Sequence, residues 1–179
     1  MKIIIPIAGA GSRFVREGYS NIKPLIKING KTIIEHVINL FPGEDDFVFI
    51  CRNDHLKTTN LKNIILSAKP ESKIVGVESH KLGPVYTTSK AFDLINNEEQ
   101  TFVNYCDFFM DWNYDDFKKT VAENNCDGAI IAYKGFHPHL LHKDNFYASM
   151  RTSGSYLIEI KEKNSFTPNK MDSPQSAGA

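Results

Sequence analysis

Ile3, Ile4, Ile5, Ile7 and Ala8 form a near-continuous apolar run, and Gly9-Ala10-Gly11-Ser12-Arg13 follows it at once. A segment apolar on both alternations suits a strand covered on both faces, the usual situation in parallel sheets flanked by helices. A glycine turn directly after such a strand lets backbone amides approach a ligand. The rest of the chain repeats this grammar. Thr32-Ile33-Ile34-Glu35 reads as a capping box. It opens a helix with Ile33, Ile34, Val37, Ile38 and Phe41 at helical spacing, stopped by Pro42-Gly43. The patterns predict further strands at 47–51, 74–77, 101–106 and 129–133, and helices at 56–68, 85–95 and 115–124. The expected fold class is α/β, a Rossmann-like layered sheet, mostly parallel, with helices on both faces. Beyond Lys134 the alternation stops, and only 156–160 reads as a strand.

Composition narrows the function classes. The 179 residues fit a single domain. Twenty-one basic residues balance 21 acidic ones, which argues against a nucleic-acid polymer held through its phosphates. One nucleotide needs only local positive charge. No apolar run approaches the roughly 20 residues of a membrane span, and Met1 to Pro6 does not read as a signal peptide. Cys51, Cys106 and Cys126 lie in or beside apolar stretches, so buried thiols in a reducing cytoplasm are expected, with no membrane partner. The oligomeric state is not legible.

In an open α/β sheet, ligands sit beyond the C-terminal strand ends. Four segments are predicted there: Gly9 to Arg13, the Glu78–Pro84 loop, Asp107 and the loop at Lys134. Arg13 offers a donor fork suited to phosphate oxygens, against a plain glycine turn with a surface Arg. Phe14 occupies the third glycine position of a dinucleotide fingerprint and excludes it, and Gly30-Lys31-Thr32 lacks the first glycine of a P-loop. Lys23-Pro24-Leu25 places a Lys before a rigid Pro, a second cation for the same phosphates or a solvated loop side chain. Asp107 suits Mg²⁺, which takes one or two carboxylates plus substrate phosphates; the alternative is a turn-forming Asp. Asp111 is the weaker candidate. Glu78, Gly83 and Pro84 belong to a loop that offers polar groups to a nucleobase, or simply leads into a helix. His137, His139 and His142 stand as H-x-H-x₂-H. Zinc, an acceptor-binding loop and a packed loop all remain open there. Glu162-Lys163 leaves a strand, with an alternating charged face as the plain reading.

Together these residues resemble the nucleotidyltransferase superfamily that makes nucleotide sugars and related activated head groups. Its G-x-G-[ST]-R stands here as Gly9-Ala10-Gly11-Ser12-Arg13, and its K-P-L as Lys23-Pro24-Leu25, followed by Asn29-Gly30-Lys31 and Ile34-Glu35-His36. The resemblance implies a GT-A-like nucleotidyltransferase fold over 1–179, with 1–134 binding nucleotide and 135–179 on the acceptor side. It implies Arg13 and Lys23 as catalytic cations, and Ala8, Gly9, Ala10, Gly11, Ser12, Glu78, Gly83 and Pro84 around the nucleotide. Asp107 would hold Mg²⁺, and Lys134, His137, His139, Glu162 and Lys163 would face a phosphorylated acceptor. Cys106-Asp107-Phe108, the Gly135–His139 segment and the Glu162–Thr167 segment are similar to a branch associated with bacterial capsule biosynthesis. That likeness implies CTP as donor and phosphoglutamine as acceptor. Cys106 departs from the Gly common before the metal Asp. The family's second metal Asp falls beyond the late glycine-containing strand that Ser176-Ala177-Gly178 resembles, so the expectation is either a domain truncated at its C-terminus or one whose metal coordination is incomplete.

The expected reaction is attack of an acceptor phosphate on the α-phosphorus of a nucleoside triphosphate, with pyrophosphate leaving. A glycosyltransferase is disfavoured because no D-x-D stands at Asp107-Phe108-Phe109. A non-catalytic nucleotide-binding or regulatory domain, and a sugar-1-phosphate transferase using another triphosphate, are the other readings.

Overall fold

A computed structural model describes residues 1–9, 11, 14, 16–96 and 98–178. It divides into two compact units, Met1–Lys119 and Thr120–Ala179.

The first unit is built on a parallel sheet of β1 (Lys2–Ile7), β4 (Phe47–Arg52), β5 (Lys73–Val77) and β6 (Thr101–Val103), in the order β5-β4-β1-β6. A small hairpin of β2 (Lys27–Ile28) and β3 (Lys31–Thr32) lies between β1 and the first helix. Ile3, Ile4, Ile5, Phe47, Val48, Phe49 and Ile50 are completely buried, as a sheet covered on both faces requires. The two faces separate by strand alternation. Ile4, Ala8, Val48, Ile50 and Val77 pack with Ala91, Leu94, Ile95 and Val103. On the opposite face, Phe41 packs its ring on Phe47 and Phe102 at 6.2 and 5.0 Å between centroids. Each such side chain contributes about 1.5–3 kcal/mol on burial.

The capping box forms as expected. Thr32 caps α1 (Ile33–Ile38), its side chain accepting from the Glu35 amide while Glu35 accepts from the Thr32 amide at 2.7 Å. At the far end of the sheet, Lys2 is buried between Asp46 (2.7 Å) and Glu99 (2.8 Å), which hold its pKa above the ordinary Lys value.

Several predicted elements differ. The helix expected at 56–68 is two, α2 (Asn53–Thr58) and α3 (Leu61–Ala68). Thr58 and Thr59 turn their hydroxyls back on the Asp54 and His55 carbonyls, and the Thr59 backbone is extended. The helix expected at 85–95 is α4 (Gly83–Ser89), starting two residues earlier, followed by a separate 3-10 turn at Phe92–Leu94. The strand expected at 101–106 ends at Val103. α5 (Tyr114–Asn124) follows, and Asn113 accepts from the Asp116 amide at its start.

The second unit holds an antiparallel sheet, β7-β10-β8-β9, that the pattern beyond Lys134 did not announce. β8 (Ser149–Ser153) and β9 (Tyr156–Lys161) form a hairpin turned at Gly154, whose φ is +59°. The strand expected at 129–133 is reduced to β7 (Ala132–Tyr133), which pairs antiparallel with β10 (Gln175–Ser176) and is not part of the parallel sheet. The Lys134 loop therefore does not lie at a strand end of that sheet. Cys51 is buried, but Cys126 is exposed, contrary to the expectation of three buried thiols; it follows α5 in a polar turn. Among the described residues no helix is long and apolar enough to cross a membrane.

Candidate functional site

The strand order places a topological switch between β1 and β6. The chain moves outward from β1 through β4 to β5, then returns to the other side of β1. Segments leaving neighbouring strands diverge at such a point, and the crevice at their carboxyl ends takes ligands. The glycine turn leaves β1 there, and the Asp107 turn leaves β6.

Ala8 is buried at the end of β1, and Gly9 is exposed with open space where a Cβ would stand. Gly11 has φ +60°, a conformation that side-chain-bearing residues rarely adopt, and its carbonyl accepts from Phe14 at 2.9 Å. Ala10, Ser12 and Arg13 lie outside the described residues.

Lys23 opens a 3-10 turn, Lys23–Leu25, in which Pro24 and Leu25 are buried. Proline's fixed φ and the two buried side chains anchor the backbone beneath a Lys whose own side chain stays free to extend. The Lys23 ammonium pairs with Asp107 Oδ2, and the two side chains are 30% and 31% exposed. The same ammonium lies 4.9 Å from the centre of the Phe14 ring, within cation–π range.

Asp107 is held from behind by Asn104. Asn104 is completely buried; its amide donates to the Ile4 carbonyl, extending the β6 register. Its side-chain Nδ2 donates to the Tyr105 carbonyl at 2.8 Å and the Phe108 carbonyl at 3.0 Å, bracketing Cys106-Asp107. Its Oδ1 is buried without a partner. Burial, aided by the Asp107 charge, pushes the Cys106 thiol up to about 12, so Cys106 stays neutral beside the carboxylate. Asp111 lines a different surface hollow with Asn39, Pro42 and Trp112.

The third loop follows β5 and is tied to the start of α2. Glu78 accepts from Asn53 Nδ2 at 2.6 Å, and Gly76 makes room for that Asn, since a Cβ there would overlap its side chain. Gly83 (φ +85°) and Pro84 are exposed and begin α4. His80 is fixed by the Leu82 amide at 3.2 Å and by Thr87 at 3.3 Å.

In the second unit, Lys134 and His137 are exposed, and His139 is half-buried. His139 Nδ1 meets His137 Nδ1 at 2.5 Å, and its Nε2 meets the Tyr133 hydroxyl at 2.7 Å. Burial and the neighbouring His137, His142 and Lys170 lower the His139 pKa below 6.5. His142 instead packs on Phe146 at 5.2 Å. Among the described residues no three His, Cys, Asp or Glu converge on a metal position, and His137, His139 and His142 do not come together as one ligand set. Glu162 and Lys163 are exposed in the turn after β9, with Lys163 at φ +51°.

The sequence patterns missed Phe14, Asn53, Asn104 and Tyr133. Only Asn53 had a signal: a glycine inside the β5 pattern marks close approach by another group.

Comparison with known proteins identifies the family. The model of the MobA-like NTP transferase domain matches residues 3–159. No curated protein shows significant sequence similarity to the chain. Among solved structures, a nucleoside-diphosphate-sugar pyrophosphorylase from Vibrio cholerae RC9 is 19% identical, with a TM-score of 0.71, over 98% of this chain and 70% of its own. A Bacillus anthracis protein provisionally named a glucose-1-phosphate thymidylyltransferase is 16% identical, with a TM-score of 0.77, over 99% and 69%. The inositol-1-phosphate CTP transferase of T. maritima is 16% identical, with a TM-score of 0.68, over 99% and 68%. At these identities the structures establish a shared fold, and the family match covers most of the chain. The chain is a member of the MobA-like NTP transferase family, a family of nucleotidyltransferases.

Proposed function

We propose that the chain transfers a nucleoside monophosphate from a triphosphate to a phosphorylated small molecule, with CTP as donor and phosphoglutamine as acceptor, in capsule modification. The observation that carries the transfer reading is the meeting of Lys23 and Asp107 at the switch point between β1 and β6. An acceptor phosphate oxygen bonds to the α-phosphorus as the bond to the β-phosphate bridging oxygen breaks. Pyrophosphate carries away that electron pair. The acceptor phosphate is already anionic, so no side-chain nucleophile is needed. Lys23 serves the α-phosphate, whose charge is most crowded in the transition state. The Gly9–Arg13 turn cradles the triphosphate, and Arg13 serves the leaving pyrophosphate. Glu78, Gly83 and Pro84 are assigned to the base, and Lys134, His137, His139, Glu162 and Lys163 to the acceptor.

Asp107 fits Mg²⁺ as a single-carboxylate ligand, since Mg²⁺ is commonly held by one or two carboxylates and completed by substrate phosphates and water. The ion would supply neutralisation of phosphate charge.

Sugar 1-phosphate with another triphosphate is a second reading, supported equally by the sugar-nucleotide enzymes among the structural neighbours. The inositol-1-phosphate CTP transferase lends support to CTP. Pyrophosphate release with Mg²⁺ decides between them, testing ATP, GTP, CTP, UTP and dTTP against phosphoglutamine, phosphocholine and sugar 1-phosphates. CTP with phosphoglutamine is the expected pair. Release with a sugar 1-phosphate alone would replace the acceptor assignment, and nucleotide binding without any release would favour a binding domain. Lys23→Ala is expected to lower kcat about 100-fold or more with a much smaller change in nucleotide affinity. Equal losses in both would contradict its role.

A further inference from the structure

The two groups that nucleotidyl transfer needs for different partners hold each other. Lys23 is assigned to phosphate and Asp107 to a divalent cation, yet each is the other's counter-ion. Both are on fixed mounts: the buried Pro24-Leu25 turn under Lys23 and the Asn104 bracket under Asp107. Their side chains are only about one-third exposed, so neither charge is fully hydrated in its place. A divalent cation arriving alone must displace an ammonium from the carboxylate it needs. A triphosphate arriving alone must draw Lys23 away and leave Asp107 facing incoming negative charge. When both arrive, every charge keeps a partner, with the cation on Asp107 and the phosphate on Lys23.

We propose that the Lys23–Asp107 ion pair is a latch that makes nucleotide and divalent cation bind together and resists either alone. This rests on the nucleotidyl-transfer reading. The coupling is reciprocal by thermodynamic linkage, so each ligand tightens the other by the same factor. The Phe14 ring beside the ammonium gives Lys23 a second contact that survives the exchange of anions.

The latch predicts two gains of affinity from loss of charge. In Lys23→Met, Mn²⁺ followed by electron paramagnetic resonance without nucleotide should bind about fivefold or more tighter than to wild type. In Asp107→Asn, CTP followed by calorimetry in EDTA should bind tighter by a comparable factor. The double variant should lose the mutual enhancement of CTP and Mn²⁺ that wild type shows. Circular dichroism checks that the variants are folded, and Lys23→Gln and Asp107→Ser repeat the test with different shapes. If Lys23→Met leaves Mn²⁺ affinity unchanged or lower, or Asp107→Asn fails to tighten metal-free CTP, the latch is overturned while the transfer reading stands. If wild type binds none of the five triphosphates with Mn²⁺, the transfer reading fails and the latch with it.

Discussion

The two units bury different things. The first packs aliphatic and aromatic side chains on both faces of a parallel sheet, with Phe41 touching Phe47, Phe102, Trp112 and Tyr114. The second buries a polar cluster, Ser149, Ser173 and Gln175, beside a few apolar side chains, Leu140, Ala148, Met150 and Ala177. Gln175 and Ser149 are 1% and 0% exposed, and the Gln175 amide donates to the Ser149 hydroxyl at 2.8 Å and lies within 3.2–3.3 Å of the Ser173 and Lys170 carbonyls. Meanwhile Tyr156, Leu157, Ile158 and Ile160 of the edge strand β9 stand exposed. Hydropathy thus marks the core of the first unit, whereas in the second the longest apolar run, on β9, lies at the surface. The first unit is held mainly by non-directional burial, and the second leans more on hydrogen bonds whose loss leaves unpaired buried groups.

The largest test of this contrast removes a big apolar side chain from each unit. Phe41→Ala is expected to cost about 3–5 kcal/mol, through lost burial and the cavity among four aromatic rings. Ile158→Ala, at a position 56% exposed, is expected to change stability by no more than about 0.5 kcal/mol. Urea unfolding of the two variants checks both. Similar costs would show that β9 is covered in the protein in solution, and the contrast would fail.

A smaller effect is expected at Gly76, where the first unit's sheet meets the candidate site. Ala at this position would overlap the Asn53 side chain and push it off Glu78. The expected cost is at most about 1 kcal/mol, since Gly76 is exposed and the overlapped atom ends a side chain that can turn aside. Glu78 is assigned to the base, so nucleotide affinity should fall as well. A Gly76→Ala variant that loses stability but keeps its nucleotide Kd would detach Glu78 from the base.

The same contrast explains what could be read from the sequence. The apolar run of β1, the strand at Phe47 and the Thr32–Glu35 capping box are local signals, and each forms where the pattern places it. The break between α2 and α3 is hidden because Leu61 and Ile65 continue a helical spacing across two threonines. β8 is hidden because its residues, Ser149 to Ser153, are mostly polar. β10 is a two-residue strand whose buried side chain is a glutamine. At the site, Lys23 and Asp107 are legible as motif residues. Their direct pairing is a contact across 84 positions and carries no local signal. The same holds for the Asn104 bracket, which fixes a carboxylate through carbonyls that any residue would supply.

The mildest probe is pH, and it acts on the polar unit through His139. Its ring faces Tyr133 at Nε2, His137 at Nδ1 and the Tyr147 ring at 4.5 Å between centroids, with His142 and Lys170 adding positive charge nearby. Burial, the largest influence, and these cations lower its pKa below 6.5, so the unfolded chain takes up the proton more readily than the folded one. Stability from this group is therefore complete above about pH 6.5 and is lost as pH falls below that value through the folded pKa. Protonation also puts an N–H on both ring nitrogens, so the one nitrogen that accepts in the neutral His139 ring, whether facing His137 or Tyr133, can no longer do so. The first unit contains His55, likewise lowered by burial and by Arg52 with Asp54 opposing, so wild-type melting alone mixes two titrations. His139→Gln separates them. Its thermal midpoint between pH 8 and 5.5 should fall less than that of wild type, and the wild-type His139 C2–H resonance should titrate below 6.5. Parallel stability profiles, or a His139 midpoint at or above 6.5, would show that the second unit is not held by the uncharged imidazole, and the acid sensitivity would belong to the first unit's His55.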